Sequence, residues 1–327
     1  MFWHLMKNAS RTSKGVNVTG KTDKVTIREV GLRDGLQMAS TQVSTQVKLE
    51  WCKLQHEAGF QEMEVTSFVP PKLLPQFADA ADVLSGAKQH QDLLVSVLVP
   101  NLKGAVLAME AGAGKITFVL SASEAHNQSN VRMSTDESLT MFADVLRERD
   151  ERGVSDKTEI AGVIATSFGC SIQGRVEPDR VCQIAEQMAK LGADEISIAD
   201  TVGYGDPAAV SRLFTSVSQI TGDVPIAAHF HDTRGLGLAN VYAAAIQGVR
   251  RFDASLGGLG GCPFAPGATG NIATEDCAYL LESIGLSTGI DFDKMIAVRE
   301  QLSDWLPGET LWGKVAKAGL ATTFKKP

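Results

Sequence analysis

Two of the six histidines in this chain, His229 and His231, stand two residues apart in "PIAAHFHDTRGLGLAN" (225–240), at the end of an apolar run. Neutral imidazole is a ligand for divalent metals, and residues i and i+2 of a strand project from one face. If that face is turned inward, the two rings converge on one point. Other reactive residue types sit where β-branched runs end. "GLRDGLQ" (31–37) holds Arg33, Asp34 and Gln37. Glu64 lies in a run that ends near Thr66 and Ser67, and another run ends in Asp200 and Thr201. The glycine-rich "GGLGGCPFAPGATGNIATED" (257–276) carries Cys262, Asn271 and Glu275. The imidazoles with Asp34 make a two-His, one-carboxylate set, suited to a divalent cation with positions open to substrate. The plainer alternative is a hydrogen-bonded pair of core histidines.

Cys262 is flanked by Gly260, Gly261, Pro263 and Pro266 rather than by a regular apolar pattern. A thiol on such a turn can act as proton donor or nucleophile. Cys52, Cys170, Cys182 and Cys277 carry no such signal and are read as inert. Arg33 beside Asp34 is either a simple ion pair or a stabiliser of a developing oxyanion. Glu64 either orients Arg33 or acts directly. Arg234, just past the paired histidines, is either a partner for a substrate carboxylate or an ordinary surface residue. His126 is expected at the surface.

Eight short runs must position these groups: 24–30, 62–68, 93–99, 115–121, 159–167, 195–200, 225–231 and 251–257. Amphipathic spacers separate them. Val43, Val47, Trp51, Leu54 and Ala58 fall on one face of a helix at 43–58. Several spacers close with glycine, in "EAGF" (57–60), "EAGAG" (110–114), "KLGAD" (190–194) and "IQGVRR" (246–251), where a helix stop is expected. Strand and helix alternating eight times predict an α/β fold, a (β/α)8 TIM barrel with a C-terminal helical extension. An open doubly wound sheet is the alternative, without a G-x-G-x-x-G after the first strand to support it. The expected division is a flexible N-terminal extension over 1–22, a barrel over 23–300, and a C-terminal helix and tail over 301–327. In such barrels the strand ends carry the site, so Arg33, Asp34, Asp200, His229 and His231 are expected on one rim.

A formal net charge of −7 leaves no basic footprint for nucleic acid. No apolar run approaches the ~20 residues of a membrane span. Five scattered cysteines without a C-x-x-C pair fit reduced thiols and a cytoplasmic location better than a disulfide framework. Residues 1–22 contain no acid and carry Lys7, Arg11, Lys14 and Lys21. A loose basic start is the simpler reading, and a transit peptide to the mitochondrial matrix the other.

With these residues assembled, the chain resembles the 3-hydroxy-3-methylglutaryl-CoA lyase family of metal-dependent barrels. The likeness rests on "REVGLRDGLQ" (28–37), "HFHDTRGLGLAN" (229–240) and "GGLGGCPFAPGATGNIATED" (257–276). It extends through "TSFVPPKLLPQ" (66–76) and "VPNLKG" (99–104). The resemblance implies metal ligands at Asp34, His229, His231 and Asn271, a catalytic arginine at Arg33 and a loop thiol at Cys262. Supporting acids fall at Glu64 and Asp200, and Gln37, Ser67, Thr201 and Arg234 are assigned to substrate. The implied cation is Mg²⁺ or Mn²⁺, with Co²⁺ or Zn²⁺ compatible with two imidazoles. The implied reaction is retro-Claisen cleavage of an acyl-CoA, with Asp34, Asp200 or His229 as base and Cys262 as acid. A homodimer or higher homo-oligomer is the family's habit.

The departures concern substrate. Family lyases commonly read His-Cys-His-Asp-Thr-Tyr, where this chain has Phe230 and Arg234, and Gln173 in "GCSIQG" (169–174) stands where an acid is usual. Citramalyl-CoA or a longer-branched 3-hydroxyglutaryl-CoA would fit the same machinery. The rivals are a condensing synthase or pyruvate aldolase on the same barrel, and an inactive barrel serving as a binding protein.

Overall fold

The computed structural model describes residues 23–261 and 270–327. Eight parallel strands close on themselves in chain order. They are β1 (Thr26–Glu29), β2 (Glu62–Ser67), β3 (Leu94–Val99), β4 (Lys115–Ser121), β5 (Glu159–Ala165), β6 (Glu195–Asp200), β7 (Ile226–Phe230) and β8 (Arg251–Ala254). Each lies inside a run predicted from the sequence. Closure comes from β8 pairing with β1, with Asp253 beside Arg28 and Ala254 beside Glu29. An open sheet is thereby ruled out.

The surrounding helices are α1 (Thr45–Glu57), α2 (Ala80–Ala87), α3 (Leu102–Glu110), α4 (Glu124–Val131), α5 (Thr135–Glu151), α6 (Pro178–Leu191), α7 (Pro207–Thr221), α8 (Gly237–Ile246), α9 (Thr274–Ser283) and α10 (Phe292–Trp305). Their ends follow local chemistry. Ser44 caps α1 by accepting from the Val47 amide, and α5 opens with a reciprocal Ser134–Glu137 box. Gly192 closes α6 at φ +97°, and the other predicted stops, Gly59, Gly112 and Gly248, also take positive φ. The apolar face of α1 buries Trp51, Cys52 and Ala58 against the barrel, with Val47 and Leu54 half-buried.

A second parallel pair, Asp23–Lys24 with Leu286–Ser287, lies outside the barrel and went unread in the sequence. Two-residue strands are too short to show a period. Beyond α10 the helix expected in "ETLWGKVAKAGLATTFKKP" shrinks to α11 (Val315–Ala318). Gly308, Gly313 and Gly319 take positive φ there, so the backbone turns instead of winding on. The segment is nonetheless tied down. Asp276 accepts from the amides of Lys314 and Val315 at 2.8 Å, and the Phe324 ring lies 5.0 Å from that of Tyr279. The expected extension at 1–22 lies outside the described residues. Among those described, no helix is long and apolar enough to cross a membrane.

The floor of the barrel is ionic. Arg28 and Lys115 each bond both Glu62 and Glu195, and Arg251 meets the same two acids. Lys115 is fully buried, which its pairing with these two acids and with Glu159 at 3.2 Å makes tolerable.

Candidate active site

The first strand delivers its chemistry through one tight turn. The Val30 carbonyl accepts from the amides of Arg33, Asp34 and Gly35 at 3.1, 2.7 and 3.3 Å, which coils Gly31–Gly35 at the top of β1. Both charged side chains of this turn are thereby presented together. Arg33 bonds Asp34 Oδ1 at 2.6 Å and Gln37 Oε1 at 3.3 Å, and its Nε donates to Glu64 on β2. Glu64 is buried, so this bond holds the Arg33 side chain from within the barrel. Burial opposes the charge on Arg33, but Glu64 and Asp34 outweigh it and raise its pKa. The guanidinium is a fixed cation at the rim.

At the end of β7, the period of two turns His229 and, one residue past the strand, His231 to the same face, with ring centroids 5.0 Å apart. Ligating atoms of Asp34, His229 and His231 all lie within 4.8 Å of one another, and all three residues are largely buried. His231 Nε2 is 3.7 Å from Asp34 Oδ2. Asn271 returns from the glycine-rich loop and donates to the same Asp34 oxygen at 2.6 Å and to the Leu259 carbonyl at 3.0 Å. Its Oδ1 is buried without a partner among the described residues. Burial opposes ionisation of Asp34, yet Arg33 and the two imidazoles hold its carboxyl well below the usual range.

A standing carboxylate, two imidazoles and an unpartnered amide oxygen form a coherent donor set for a divalent cation. An orphaned buried oxygen is costly unless something uses it. The residues fit the group.

The remaining predicted residues divide. Asp200 ends β6, but its carboxylate accepts from the amides of Tyr204 at 2.8 Å and Gly205 at 2.9 Å, shaping the following loop. Burial raises its pKa in spite of those bonds. Thr201 Oγ1 accepts from the Thr166 amide at 2.8 Å, and Ser67 donates to the Leu98 carbonyl at 3.1 Å, so both hydroxyls brace neighbouring strand ends. Arg234 is exposed, donates to the carbonyls of Val202 and Gly203 at 2.8 and 3.2 Å, and lies 4.5 Å over the Tyr204 ring. It ties the β7 loop to the β6 loop. Glu275 points away from the site, to Arg299 and the Gly257 amide. Cys262 falls in 262–269, outside the described residues.

The departures from the family pattern do not reach the cluster. Phe230, between the two histidines, points to the opposite face and packs against Phe168 and Phe214 at 6.4 and 6.2 Å. Gln173 accepts from Ser123 Oγ at 3.0 Å and the Ala125 amide at 3.3 Å, at the start of α4. His126, expected at the surface, is buried, with Nδ1 2.7 Å from Ser121 Oγ. Burial pushes the Cys52 thiol up to about 12 and raises that of Cys277, while Cys182 is half-buried.

Two buried acids beside the site carried no expectation from the sequence. Asp253, in mid-strand β8, lies 3.1 Å from His229 Nδ1. Glu29 on β1 accepts from the amides of Gly31 and Leu256 and from Thr274 Oγ1. Both are acids among strand residues, Glu29 closing β1 and Asp253 inside β8, and their partners lie on other strands and loops.

The comparisons agree along most of the chain. The family model described as HMGL-like matches residues 24–302. A mitochondrial hydroxymethylglutaryl-CoA lyase from Macaca fascicularis is 39% identical over 295 residues, 90% of this chain and 89% of that protein. The 3-hydroxy-3-isohexenylglutaryl-CoA/hydroxy-methylglutaryl-CoA lyase of Pseudomonas aeruginosa is 38% identical over 298 residues, 91% of this chain and 98% of that one. A solved HMG-CoA lyase from Acinetobacter baumannii, in complex with coenzyme A and 3-methylmalate, superposes with a TM-score of 0.87 at 41% identity, covering 94% of this chain and 99% of that one. The carboxyl transferase domain of Rhizobium etli pyruvate carboxylase, at 18% identity and a TM-score of 0.68, shares the fold alone. The agreement runs through every strand that supplies the cluster, and the chain belongs to the HMGL-like family.

Proposed function

We propose that the protein is a divalent-cation-dependent carbon–carbon lyase that cleaves 3-hydroxy-3-methylglutaryl-CoA to acetyl-CoA and acetoacetate. The observation that carries this reading is the convergence of Asp34, His229 and His231 with the unpartnered Asn271 oxygen, beside the fixed Arg33 cation. A cation held by Asp34, His229, His231 and Asn271, most simply Mg²⁺ or Mn²⁺, with Co²⁺ or Zn²⁺ chemically admissible, would supply Lewis acidity that makes a hydroxyl easier to deprotonate.

The protein's own groups then divide the proton and charge work. The C3 hydroxyl gives up its proton, its oxygen becomes the ketone, and the C2–C3 electron pair passes into a thioester enolate. Asp200 is the best supported acceptor of that proton, because burial raises its basicity. Asp34 is a weaker base, being held low by its neighbours, and the second nitrogen of His229 is engaged by Asp253. Arg33, pinned by Glu64 and Gln37, faces the developing enolate oxygen without reorganising. Cys262 delivers a proton to C2 and releases acetyl-CoA. Solvent returns Asp200 and Cys262 to their starting states.

A second reading is cleavage of related esters. The Pseudomonas relative is named for both an isohexenyl and a methyl glutaryl ester, which supports breadth. Phe230, Gln173 and Arg234 are spent on packing and loops, which supports the methyl ester first. A cytoplasmic location, or the matrix if 1–22 is a transit segment, agrees with the free thiols of Cys52, Cys170, Cys182 and Cys277.

The test is acetyl-CoA release from 3-hydroxy-3-methylglutaryl-CoA, citramalyl-CoA and a longer-branched 3-hydroxyglutaryl-CoA. It is run after chelation and again with Mg²⁺ or Mn²⁺. Metal-restored cleavage led by the methyl ester is expected. No cleavage of any ester under either metal would return the chain to the binding-protein reading.

A further inference from the structure

Asp253 takes no part in the scheme above, yet it occupies one rung of the barrel with two residues that bear on it. The strand register sets Arg28 on β1 beside Asp253 on β8, and Asp253 beside His229 on β7. The side chains follow the same line. Arg28 Nε donates to Asp253 Oδ1 at 2.7 Å, and Asp253 Oδ2 lies 3.1 Å from His229 Nδ1. All three residues are at least nine-tenths buried. Arg28 is itself anchored by Glu62 at 3.1 Å and Glu195 at 2.8 Å, so the line runs from the ionic floor to the rim.

An imidazole offers a metal only a nitrogen that carries no proton, and a hydrogen bond at the other nitrogen decides which one that is. Arg28 can only donate, and its buried ion pair with Asp253 at 2.7 Å marks the carboxyl as a carboxylate, which accepts and does not donate. His229 Nδ1 must then carry the proton, and Nε2 is left with a free lone pair. His231 has no such brace among the described residues, since its Nδ1 is buried without a partner.

We propose that Asp253 is a positioning residue for cation binding, holding His229 in the Nδ1–H tautomer, and that Arg28 in turn fixes which Asp253 oxygen faces the ring. The proposal rests on the metal-centre reading given above and adds a residue to it.

The chemistry of Arg28 makes the test directional. A guanidinium can only donate, so in Asp253→Asn the amide oxygen must stay on Arg28 and the amide nitrogen must face His229. That nitrogen donates, which forces His229 into the opposite tautomer with a proton on Nε2. Asp253→Ala removes the brace without imposing the wrong donor. Asn is therefore expected to weaken Mn²⁺ binding more than Ala does, although Ala, which leaves a cavity and strips Arg28 of a partner, is the more damaging to stability. A residue that mattered only for folding would give the same order in both measurements.

The experiment is Mn²⁺ titration of the full-length protein and its variants by calorimetry, with thermal unfolding measured alongside. The expected result is a 10- to 100-fold rise in the Mn²⁺ dissociation constant for Asp253→Asn, a smaller rise for Asp253→Ala, and partial recovery of Asn-variant turnover at raised Mn²⁺. Should the variants not fold, ¹⁵N spectra of His229 in the Mg²⁺-loaded wild type decide, with a protonated Nδ1 expected. Wild-type Mn²⁺ affinity in Asp253→Asn, losses ordered as stability is, or an Nε2–H tautomer in the wild type overturns this inference alone. If the wild type takes up no stoichiometric Mn²⁺ and matches His229→Ala, the metal centre falls and the inference falls with it.

Discussion

Glu29 supplies the most quantitative test of how the site is held. Its carboxyl is 1% exposed and has no ion-pair partner among the described residues; its hydrogen-bond partners there are the Gly31 and Leu256 amides at 2.9 and 3.0 Å and Thr274 Oγ1 at 2.7 Å. Burial is the largest influence and raises its pKa from the ordinary 4.5 to about 7, against those bonds and with the help of nearby Glu275. In the window between those values the folded protein keeps a proton that the unfolded chain has released. Folding therefore binds a proton there, and stability falls as pH rises through it. The contribution is complete below pH 4.5 and is lost as pH passes 7. At ~1.4 kcal/mol for each pH unit of displacement, the loss reaches about 3 kcal/mol by pH 8. Glu29→Gln removes the titration and keeps the geometry: the amide oxygen still accepts from Gly31 and Leu256, and the amide nitrogen donates to the Thr274 hydroxyl. At roughly 2 °C for each kcal/mol in a chain of this size, the variant is expected to match the wild type near pH 5 and to melt roughly 5 °C higher at pH 8. Differential scanning measurements from pH 5 to 8.5 check this. A variant-minus-wild-type difference that does not change with pH refutes the reasoning, whatever its size. The same carboxylate secures the start of the Arg33–Asp34 turn and the exit of β8, so turnover in Glu29→Gln is expected within a few-fold of wild type.

Other consequences follow from the same contacts. Cys262→Ala is expected to lose about 10²–10⁴-fold in turnover while binding Mn²⁺ as the wild type does, and near-normal turnover removes the thiol from the mechanism. Gly260 sits at φ +116°, and a Cβ there would lie 2.7 Å from Asn271 Nδ2. Gly260→Ala should thus displace Asn271 and weaken Mn²⁺ binding at least tenfold by calorimetry, an effect that Gly261→Ala, whose Cβ would meet only Met38 at ordinary van der Waals distance, should not share. Arg234→Ala is expected to cost about 1 kcal/mol in stability and to change KM by less than tenfold, because its donors serve loop carbonyls. A hundredfold rise in KM with kcat retained would instead assign Arg234 to the substrate carboxylate.

The barrel was legible because its signals are local. β-branched runs, amphipathic spacers and glycine stops each act within a dozen residues, and eight repetitions leave few architectures. The paired histidines were legible for the same reason, since a period of two assigns both to one face without knowledge of any partner. Phe230 obeys that rule too, and the rule alone would have placed it away from the substrate. What escaped was chemistry assembled across the barrel. Asp253 and Glu29 are acids within strands, and what each does depends on neighbours more than 200 residues distant in sequence, Arg28 for the first and Leu256 and Thr274 for the second.

The amino-acid sequence by itself determined the closed alternation of strands and helices and the residue types gathered on one rim, because periodicity and strand polarity are properties of a segment. Only the tertiary structure decided which nitrogen of His229 is engaged, that Arg234 is tied to carbonyls and that Asp200 shapes a loop. Each of those depends on which donor lies within about 3 Å of which acceptor once β8 meets β1 and the barrel closes.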